Sequence, residues 1–325
     1  MTELSRIGEF GLIERIGRIL PGAPTIIEGI GDDCAVVRIF DRLMLLSCDM
    51  FVEDVHFRRA YASPQDVGWK AATSALSDIA AMGGTPLFSL VSLACPATTD
   101  SAYVEGLYHG LANAAGQAGA IVVGGDTTMS PAGIFIDVTV VGEVIGNRYL
   151  SRRGAQSGDL LGVTGRLGLS AAGLWALDNG KNAPVLVAAH YRPTARISEG
   201  QWLSGCEHVK TMIDISDGFV QDAEHLTEGD RLGLEIDPDS LPIDADLRQF
   251  CQEYGLDPLD FVLAGGEDYE LAFAIRPEDG EGCLAMFRRE FRTPIHVAGQ
   301  FTNQWQGVRV AGRSSPRTGY EHFRK

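Results

Sequence analysis

Residues 63–84 read SPQDVGWKAATSALSDIAAMGG, a stretch that predicts one helix with clear signals at both ends. Ser63 can cap the helix, Pro64 suits its first turn, and Gly83-Gly84 ends it. Positions 71, 75, 78 and 82 share one helical face, and all of them are small or apolar except Asp78. A carboxylate on a core-facing stripe is costly unless it is paired or binds a cation. Asp78 is therefore either a structural acid, capping a loop or paired with an arginine, or a ligand-binding one.

Outside this helix, glycine stands beside acidic residues where short apolar runs end. The motifs are GIGDD at 29–33, GGD at 124–126, SDG at 216–218 and GGED at 265–268. Strands that turn through glycine into acidic loops, with helices between them, are typical of α/β proteins. The predicted strands are 43–48, 134–141, 160–164, 211–215, 232–236 and 270–275.

A polar, glycine-bearing segment separates two mixed α/β patterns. This segment, residues 146–159, reads GNRYLSRRGAQSGD. It predicts a domain boundary, with an N-terminal domain at 1–148 and a C-terminal domain at 149–325. By composition alone, the tail from Gly312 to Lys325 is typical of an exposed end.

The composition excludes several classes of protein. The 325 residues include 27 basic and 43 acidic side chains, which gives a net charge of −16. Such a field repels nucleic acid and anionic membranes. The six cysteines contain no C-x-x-C pair, so we expect reduced thiols. The acidic N-terminus argues against a signal peptide and indicates an amphipathic helix with Phe10, Ile13, Ile16 and Leu20 on one side. No apolar run approaches a membrane span. We therefore expect a cytoplasmic protein.

Several other aspartates lie at predicted strand ends and could form a cation site. They are Asp32, Asp33, Asp49, Asp126, Asp214 and Asp217. Aspartate is also common in turns and at helix N-caps, so each could be structural. Carboxylates without matching bases favour a hard divalent cation such as Mg²⁺. No Walker A motif and no protein-kinase motif set is present. Residues 165–170 could hold phosphate at a helix N-terminus or form a plain strand-to-helix turn.

Ten motifs, taken in order, resemble the thiamine-monophosphate kinase family. They are GEF (8–10), GIGDDCA (29–35), SCD (47–49), VHF (55–57), LSDIAAMG (76–83), GGDTT (124–128), SRRGA (151–155), IDISDG (213–218), AGGEDYEL (264–271) and GYEHF (319–323). The resemblance implies the two-domain α/β fold of aminoimidazole ribonucleotide synthetase. In that fold, the N-terminal domain binds ATP and Mg²⁺ and forms a β-barrel across a homodimer interface. The implied reaction is ATP-dependent phosphorylation of thiamine monophosphate to thiamine diphosphate, with several Mg²⁺ ions and no general base.

The resemblance also implies roles for individual residues. The implied metal ligands are Asp33, Ser47, Cys48, Asp49, Asp78, Asp126, Asp214 and Asp217. The implied ATP contacts are Tyr108, Gly125, Asp126, Arg152 and Ser216. The implied contacts to thiamine monophosphate are His56, Glu267 and Tyr320, so the tail is expected to cover the substrate. Cys48 stands where the family commonly has threonine, and a neutral thiol could serve only through its backbone carbonyl.

Alternatives stay open at this point. His56 and Tyr320 could be packing residues, and Glu267 could balance the thiazolium charge or accept a hydrogen bond from the aminopyrimidine. One rival is a same-fold enzyme with another acceptor, of the selenophosphate synthetase or hydrogenase-maturation kind. The other rival is a non-catalytic divalent-cation-binding protein.

Overall fold

The structure, a computed structural model, describes residues 3–229, 231–278, 280–313 and 319–323. These residues form two six-stranded sheets and ten α-helices. The elements of the first half are α1 (Leu4–Gly17), β1 (Ile26–Glu28), β2 (Ala35–Ile39), β3 (Arg42–Val52), α2 (Pro64–Ala81), β4 (Thr85–Cys95), α3 (Ser101–Gln117), β5 (Ile121–Met129) and β6 (Phe135–Glu143). The elements of the second half are β7 (Leu160–Thr164), α4 (Leu169–Asp178), α5 (Pro184–Tyr191), α6 (Ile197–Gly205), β8 (Val209–Asp214), α7 (Phe219–His225), β9 (Gly233–Ile236), α8 (Ala245–Tyr254), α9 (Pro258–Ala264), β10 (Leu271–Ile275), α10 (Gly280–Glu290), β11 (Ile295–Thr302) and β12 (Gly307–Val310).

The first sheet has the strand order β1-β2-β3-β6-β4-β5, in which β4 and β5 are parallel and the other neighbours antiparallel. Helix α2 packs on one face of this sheet. The opposite face, called the outer face below, exposes the large apolar side chains Met50, Phe88, Leu90, Ile121, Val123 and Phe135. Within the described part of the chain the sheet is open, with β1 and β5 at its edges, so one copy contains no closed barrel.

The second sheet has the order β12-β9-β11-β7-β10-β8, in which only the β12–β9 pair is parallel among the described strands. Every residue of β10, which lies between β7 and β8, is buried. The sequence of β10, LAFAI, is apolar throughout because helices or strands cover both of its faces. The expected two-domain α/β architecture is therefore present.

Helix α2 lies between the two halves of the molecule, contacting β3 and β6 of the first sheet and β8 of the second. The predicted end signals are confirmed, since Ser63 accepts a hydrogen bond from the Asp66 amide and the helix ends at Ala81. A glycine brings α2 against α3: a Cβ on Gly68 would lie 2.0 Å from the Leu107 carbonyl oxygen. This burial on several sides explains the small residues of α2 and places Asp78 deep in the protein.

The structure confirms the predicted strands and free cysteines, but it changes the prediction for the N-terminal helix. All six predicted strands overlap observed ones, and all six cysteines are free. The N-terminal helix exists but ends at Gly17, so Leu20 lies outside it, and the predicted apolar side is exposed at Phe10, Ile13 and Ile16. None of the described helices is long and apolar enough to cross a membrane.

Candidate active site

A cavity of about 630 Å³ lies where the two halves of the chain meet. Strand β3, the loop that follows it and α2 supply one side, and α4, α5 and the segments next to β8 and β10 supply the other. The tail adds Tyr320 and His322, and the N-terminal helix adds Glu9. Motifs from both ends of the sequence therefore meet around one cavity.

Three carboxylates come together beside this cavity, and two of them, Asp78 and Asp214, line it. One oxygen of each of Asp33, Asp78 and Asp214 lies within 4.8 Å of the others, and we call this group the carboxylate cluster. Asp33 precedes β2, Asp78 lies near the end of α2, and Asp214 ends β8. The cluster unites three of the eight predicted metal ligands, and Ser47 donates its hydroxyl to Asp78.

Burial makes ionisation of Asp78 and Asp214 unfavourable. It raises the pKa of Asp78 well above its usual range, and the nearby charges of Asp49 and Asp214 add to that effect. Burial also raises the pKa of Asp214 to about 8, with a contribution from Asp33. Like charges in a site with little water oppose one another, so a bound cation would stabilise the ionised form.

The donor set fits Mg²⁺. Asp33 Oδ2 is buried and has no hydrogen-bond partner among the described residues, although buried carboxylate oxygens are normally satisfied. Oxygen-only ligands select hard divalent cations over zinc. Asp33, Asp78 and Asp214 are therefore the residues that would hold such an ion.

Arg152 lies directly beside the cluster. Its guanidinium Nη2 is 2.7 Å from Asp33 Oδ1, and its backbone amide donates to Asp32 Oδ2 over 3.2 Å. Burial and the neighbouring Asp33 raise the pKa of Asp32 to about 7. The predicted ATP-binding arginine thus supplies the positive charge nearest to Asp33.

Strand β3 presents its predicted ligands on two different faces. Ser47 and Asp49 point toward α2, where Asp49 contacts the Ser74 hydroxyl. Cys48 points to the outer face, where its thiol donates to Asp137 Oδ2 over 3.1 Å. Side chains alternate along a strand, so the Cys48 thiol cannot face the cluster together with its neighbours.

The predicted ligands Asp126 and Asp217 lie outside the cluster. Asp126 is exposed on β5, level with Ser92 on the outer face, and accepts a hydrogen bond from the Thr127 amide. Asp217 lines the cavity, and burial together with the charge of Glu9 raises its pKa to about 6.

The predicted ATP contacts fall into two groups. Arg152 and Ser216 lie near the cluster and the cavity, whereas Tyr108 on α3 contacts Thr127 beside Gly125 and Asp126. Glycine is required at position 125, because a Cβ there would lie 1.8 Å from the Val91 carbonyl oxygen and φ is +155°.

The three predicted substrate contacts all line the cavity. The Nδ1 atom of His56 accepts a hydrogen bond from the Val52 amide, so the ring proton belongs on Nε2. Burial lowers the pKa of His56 to about 4, which keeps the ring neutral at pH 7. Tyr320 lies over the cavity because its amide donates to the Asp217 carbonyl oxygen. Residues 319–323 therefore lie against the cavity, although Gly319, Tyr320 and Phe323 are exposed as the composition predicts. Residues 314–318 and 324–325 lie outside the described residues.

Sequence reasoning missed a buried ion pair at the other end of the cavity. Lys70 Nζ lies 2.7 Å from Glu267 Oε1, and His190 Nδ1 lies 3.6 Å from Glu267 Oε2. A signal was available, since Lys70, Ser74 and Asp78 are spaced four apart and share a face of α2. It also missed His322, whose amide donates to Glu9 Oε2 over 3.1 Å.

The turn at 165–170 is not a phosphate site in this structure. The carboxylate of Asp268 occupies the N-terminus of α4, where it accepts hydrogen bonds from the amides of Gly168 and Ser170 over 2.6 and 3.2 Å. An internal anion therefore takes the position that an external one would need.

Comparisons with known proteins find similarity along nearly the whole chain. Residues 31–144 match the family described as AIR synthase related protein, N-terminal domain, and residues 156–311 match its C-terminal domain. A thiamine-monophosphate kinase of Aquifex aeolicus is 37% identical over 325 residues, covering 98% of this chain and 99% of that protein. A solved structure described as AaThiL complexed with AMPPCP and TMP has a TM-score of 0.88 at 36% identity, covering 99% of each chain. The Escherichia coli hydrogenase maturation protein HypE, with a TM-score of 0.71 at 22% identity over 96% of this chain and 95% of that one, shares the fold alone.

Proposed function

The chain belongs to the thiamine-monophosphate kinase family of AIR synthase related proteins, and from that premise we propose that it phosphorylates thiamine monophosphate with ATP. The product is thiamine diphosphate, and the γ-phosphoryl group passes directly in line, without a phosphoenzyme. The AMPPCP and TMP named for the similar solved structure support a nucleotide and thiamine monophosphate as the two substrates.

One observation carries this proposal: a single cavity is lined by Asp78 and Asp214 at one wall and by His56, Glu267 and Tyr320 elsewhere. Phosphoryl transfer between two anionic substrates needs neutralisation of the phosphate charges. Thiamine monophosphate also carries an organic cation, which needs a binding site next to the phosphates. The acidic residues and the residues suited to the organic part of the substrate line the same cavity. Its volume, about 630 Å³, is in the usual range for a small-molecule site.

The chemistry explains why no general base is required. The second pKa of a phosphate monoester is ~6, so the attacking oxygen is already ionised at pH 7. The barrier is electrostatic, since two unit charges 4 Å apart repel by ~4 kcal/mol at an effective dielectric of 20. Mg²⁺ ions held by the carboxylates would supply neutralisation of phosphate charge. Arg152 adds a fixed positive charge, and Asp33 holds its guanidinium in place.

The cavity walls suit the rest of the substrate. His56 is neutral and has its Nε2 proton free to donate, because Nδ1 already accepts from the Val52 amide. The Tyr320 ring lies at the tail end of the cavity, where it can stack on a flat heterocycle.

The proposal includes a homodimer formed through the outer face of the first sheet. A contiguous apolar face on an open sheet is unusual in a monomer, and its burial against a second copy would close the barrel that the family resemblance implies. We also propose a domain boundary at 148/149, in the connection between β6 and β7, and a cytoplasmic location.

The proposed activity is tested by incubating the purified protein with ATP, Mg²⁺ and thiamine monophosphate and following thiamine diphosphate by chromatography. We expect product in proportion to enzyme and none without Mg²⁺. Phosphorylation of another acceptor instead would favour a same-fold enzyme of different specificity. Metal binding with no turnover of any acceptor would favour a non-catalytic cation-binding protein.

A further inference from the structure

The Lys70 ammonium is a buried cation that lies behind side chains lining the cavity, and Glu267 is its ion-pair partner among them. The Lys70 side chain is 3% exposed, and its Nζ lies 2.7 Å from Glu267 Oε1. Glu267 is 25% exposed and lines the cavity, whereas Lys70 lies behind it. A ligand in the cavity can therefore contact the Glu267 carboxylate, which is itself paired with the Lys70 ammonium.

The surroundings of this pair leave it electrically balanced. His190 contacts both members of the pair, since its Nδ1 lies 3.6 Å from Glu267 Oε2 and both of its ring nitrogens lie 3.4 Å from Lys70 Nζ. Its Nδ1 is also 3.1 Å from the Ser170 hydroxyl. Burial, followed by the charge of Lys70, lowers the pKa of His190 to about 3, so the ring is neutral at pH 7. Burial lowers the pKa of Lys70, and the ion pair with Glu267 opposes that shift, so the pairing with Glu267 favours the ammonium form.

The backbone also fixes Glu267. Its φ is +65°, in the left-handed region that non-glycine residues rarely adopt, and its amide donates to the Ser216 carbonyl oxygen over 2.7 Å. Such a conformation persists where the surrounding contacts determine it strongly, and it recurs at ligand-binding positions. Backbone geometry and the Lys70 ion pair thus hold the carboxylate in one orientation.

We propose that Lys70 is a positioning residue that neutralises and orients Glu267, so that Glu267 recognises an N–H donor of the substrate instead of balancing its positive charge. The proposal rests on the proposed function, in which the substrate carries both an exocyclic aminopyrimidine N–H group and a thiazolium cation. A carboxylate already paired with a buried ammonium attracts a second cation weakly, yet its oxygens still accept hydrogen bonds. Of the two roles that the sequence left open for Glu267, the ion pair selects the hydrogen bond to the aminopyrimidine.

A set of three variants tests the positioning role. We expect Lys70→Met and Glu267→Gln each to raise the KM for thiamine monophosphate about tenfold or more, since each leaves one buried charge unpaired. The KM for ATP should stay unchanged and kcat should change less than KM. The double variant K70M/E267Q keeps a neutral amide acceptor without an unpaired charge, so it should return to within about threefold of the parent. Lys181→Met, at a lysine outside the cavity, is the matched control and should behave as the parent.

The direction in which Lys70→Met changes the KM for thiamine monophosphate distinguishes the two roles of Glu267. If Glu267 were the counter-ion of the thiazolium, Lys70→Met would free its charge and lower the KM for thiamine monophosphate, and the double variant would stay as impaired as Glu267→Gln. Either result overturns the proposal.

A substrate analogue gives an independent readout. Oxythiamine monophosphate keeps the thiazolium but replaces the exocyclic amine with an oxo group. We expect the parent enzyme to discriminate against it at least tenfold in kcat/KM, and Glu267→Ala to lose that discrimination. Equal weakening of both substrates in Glu267→Ala would contradict the hydrogen-bonding role.

Failure of this inference can be told apart from failure of the proposed function. A parent protein that makes no thiamine diphosphate contradicts the function, whereas an active parent with an unchanged Lys70→Met variant contradicts only the role of Lys70. Thermal melting and binding of a non-hydrolysable ATP analogue report whether each variant folds. If Lys70→Met does not fold, the double variant and the analogue comparison decide the question.

Discussion

The guanidinium of Arg152 and the carboxylate of Asp33 form an ion pair at 2.7 Å in which the Asp33 side chain is completely covered. Both members are only partly satisfied, because Asp33 Oδ2 and Arg152 Nε are buried without hydrogen-bond partners among the described residues. An arrangement of this kind suits a site whose remaining bonds are made to a cation and to an anionic ligand. The pair therefore joins the proposed metal site to the proposed nucleotide site.

Replacing Arg152 should move the affinities for metal and nucleotide in opposite directions. In Arg152→Gln, the cluster loses its neighbouring positive charge, so we expect Mn²⁺ to bind about threefold more tightly or better. The KM for ATP should rise at least tenfold, because a fixed charge near the phosphates is lost. Isothermal titration with Mn²⁺ alone and steady-state kinetics measure the two effects. Arg153→Gln, at an exposed neighbour paired with Glu28, is the control, and weaker Mn²⁺ binding in Arg152→Gln would contradict this account.

Asp78→Asn should separate activity from stability. Asp49, Asp214 and burial all oppose ionisation of Asp78, so an amide should leave the melting temperature unchanged or raise it. Turnover should fall by on the order of a hundredfold or more, because a ligand that neutralises phosphate charge is removed. Asp159→Asn is the control, since that buried carboxylate lies outside the cavity, and turnover of this variant should stay near that of the parent. Turnover of Asp78→Asn within a few-fold of the parent would make Asp78 a structural residue.

Local signals predicted local structure well in this chain. The bounds of α2 followed from Ser63, Pro64 and the glycines after Met82, because caps and stops act within one helical turn. The carboxylate cluster was predicted only in part. Asp78 was conspicuous as an acid on an apolar face, but its proximity to Asp214 depends on how α2 packs against β8.

Contacts between distant segments were the hardest to predict. Lys70 and Glu267 are separated by almost 200 residues, and no periodicity in either segment relates them. The N-terminal helix shows a second limit, since the sequence predicted its apolar side but not that this side is exposed. Such features depend on tertiary packing, which spacing rules do not describe.

Stability without metal should fall as the pH rises from 5 to 8. Burial raises the pKa of Asp32 to about 7 and that of Asp214 to about 8, from an ordinary value of 3.8. Over this window the folded protein retains protons that the unfolded chain has released, so unfolding becomes easier with increasing pH. Differential scanning fluorimetry in chelator should show a falling melting temperature, and Mg²⁺ should raise it more at pH 8 than at pH 6. Asp214→Asn should flatten the slope, and a rising melting temperature without metal would refute the prediction.

His56 should act as a neutral donor, not as an acid or a base. The His56→Asn side chain can keep the acceptor that meets the Val52 amide but loses the Nε2 donor, so the KM for thiamine monophosphate should rise about tenfold. Since burial lowers the pKa of His56 to about 4, the pH profile above pH 5 should keep its shape in this variant. Kinetics between pH 5 and 9 check both points. Loss of an ionisation near pH 6.5 in His56→Asn would show that the ring titrates during the reaction.

Disrupting the outer face should convert a dimer into a monomer and weaken nucleotide binding. Ile121 is 65% exposed and lies level with Phe88 on β4, so Ile121→Asp places a charge on the β5 side of the apolar face. Light scattering should give about twice 34.9 kDa for the parent and 34.9 kDa for the variant. Met286→Asp, at an equally apolar and 56% exposed position on α10, should remain dimeric.

Kinetics on the same variant test whether the interface completes the nucleotide site. Asp126 lies level with Ser92 on the outer face, whereas Asp33, Asp78 and Asp214 lie together on the other side of the sheet. Loss of the dimer should therefore raise the KM for ATP more than the KM for thiamine monophosphate and leave Mn²⁺ binding at the cluster intact. A parent protein with the mass of one chain, or an Ile121→Asp monomer with unchanged KM for ATP, would mean that a single copy forms the whole site.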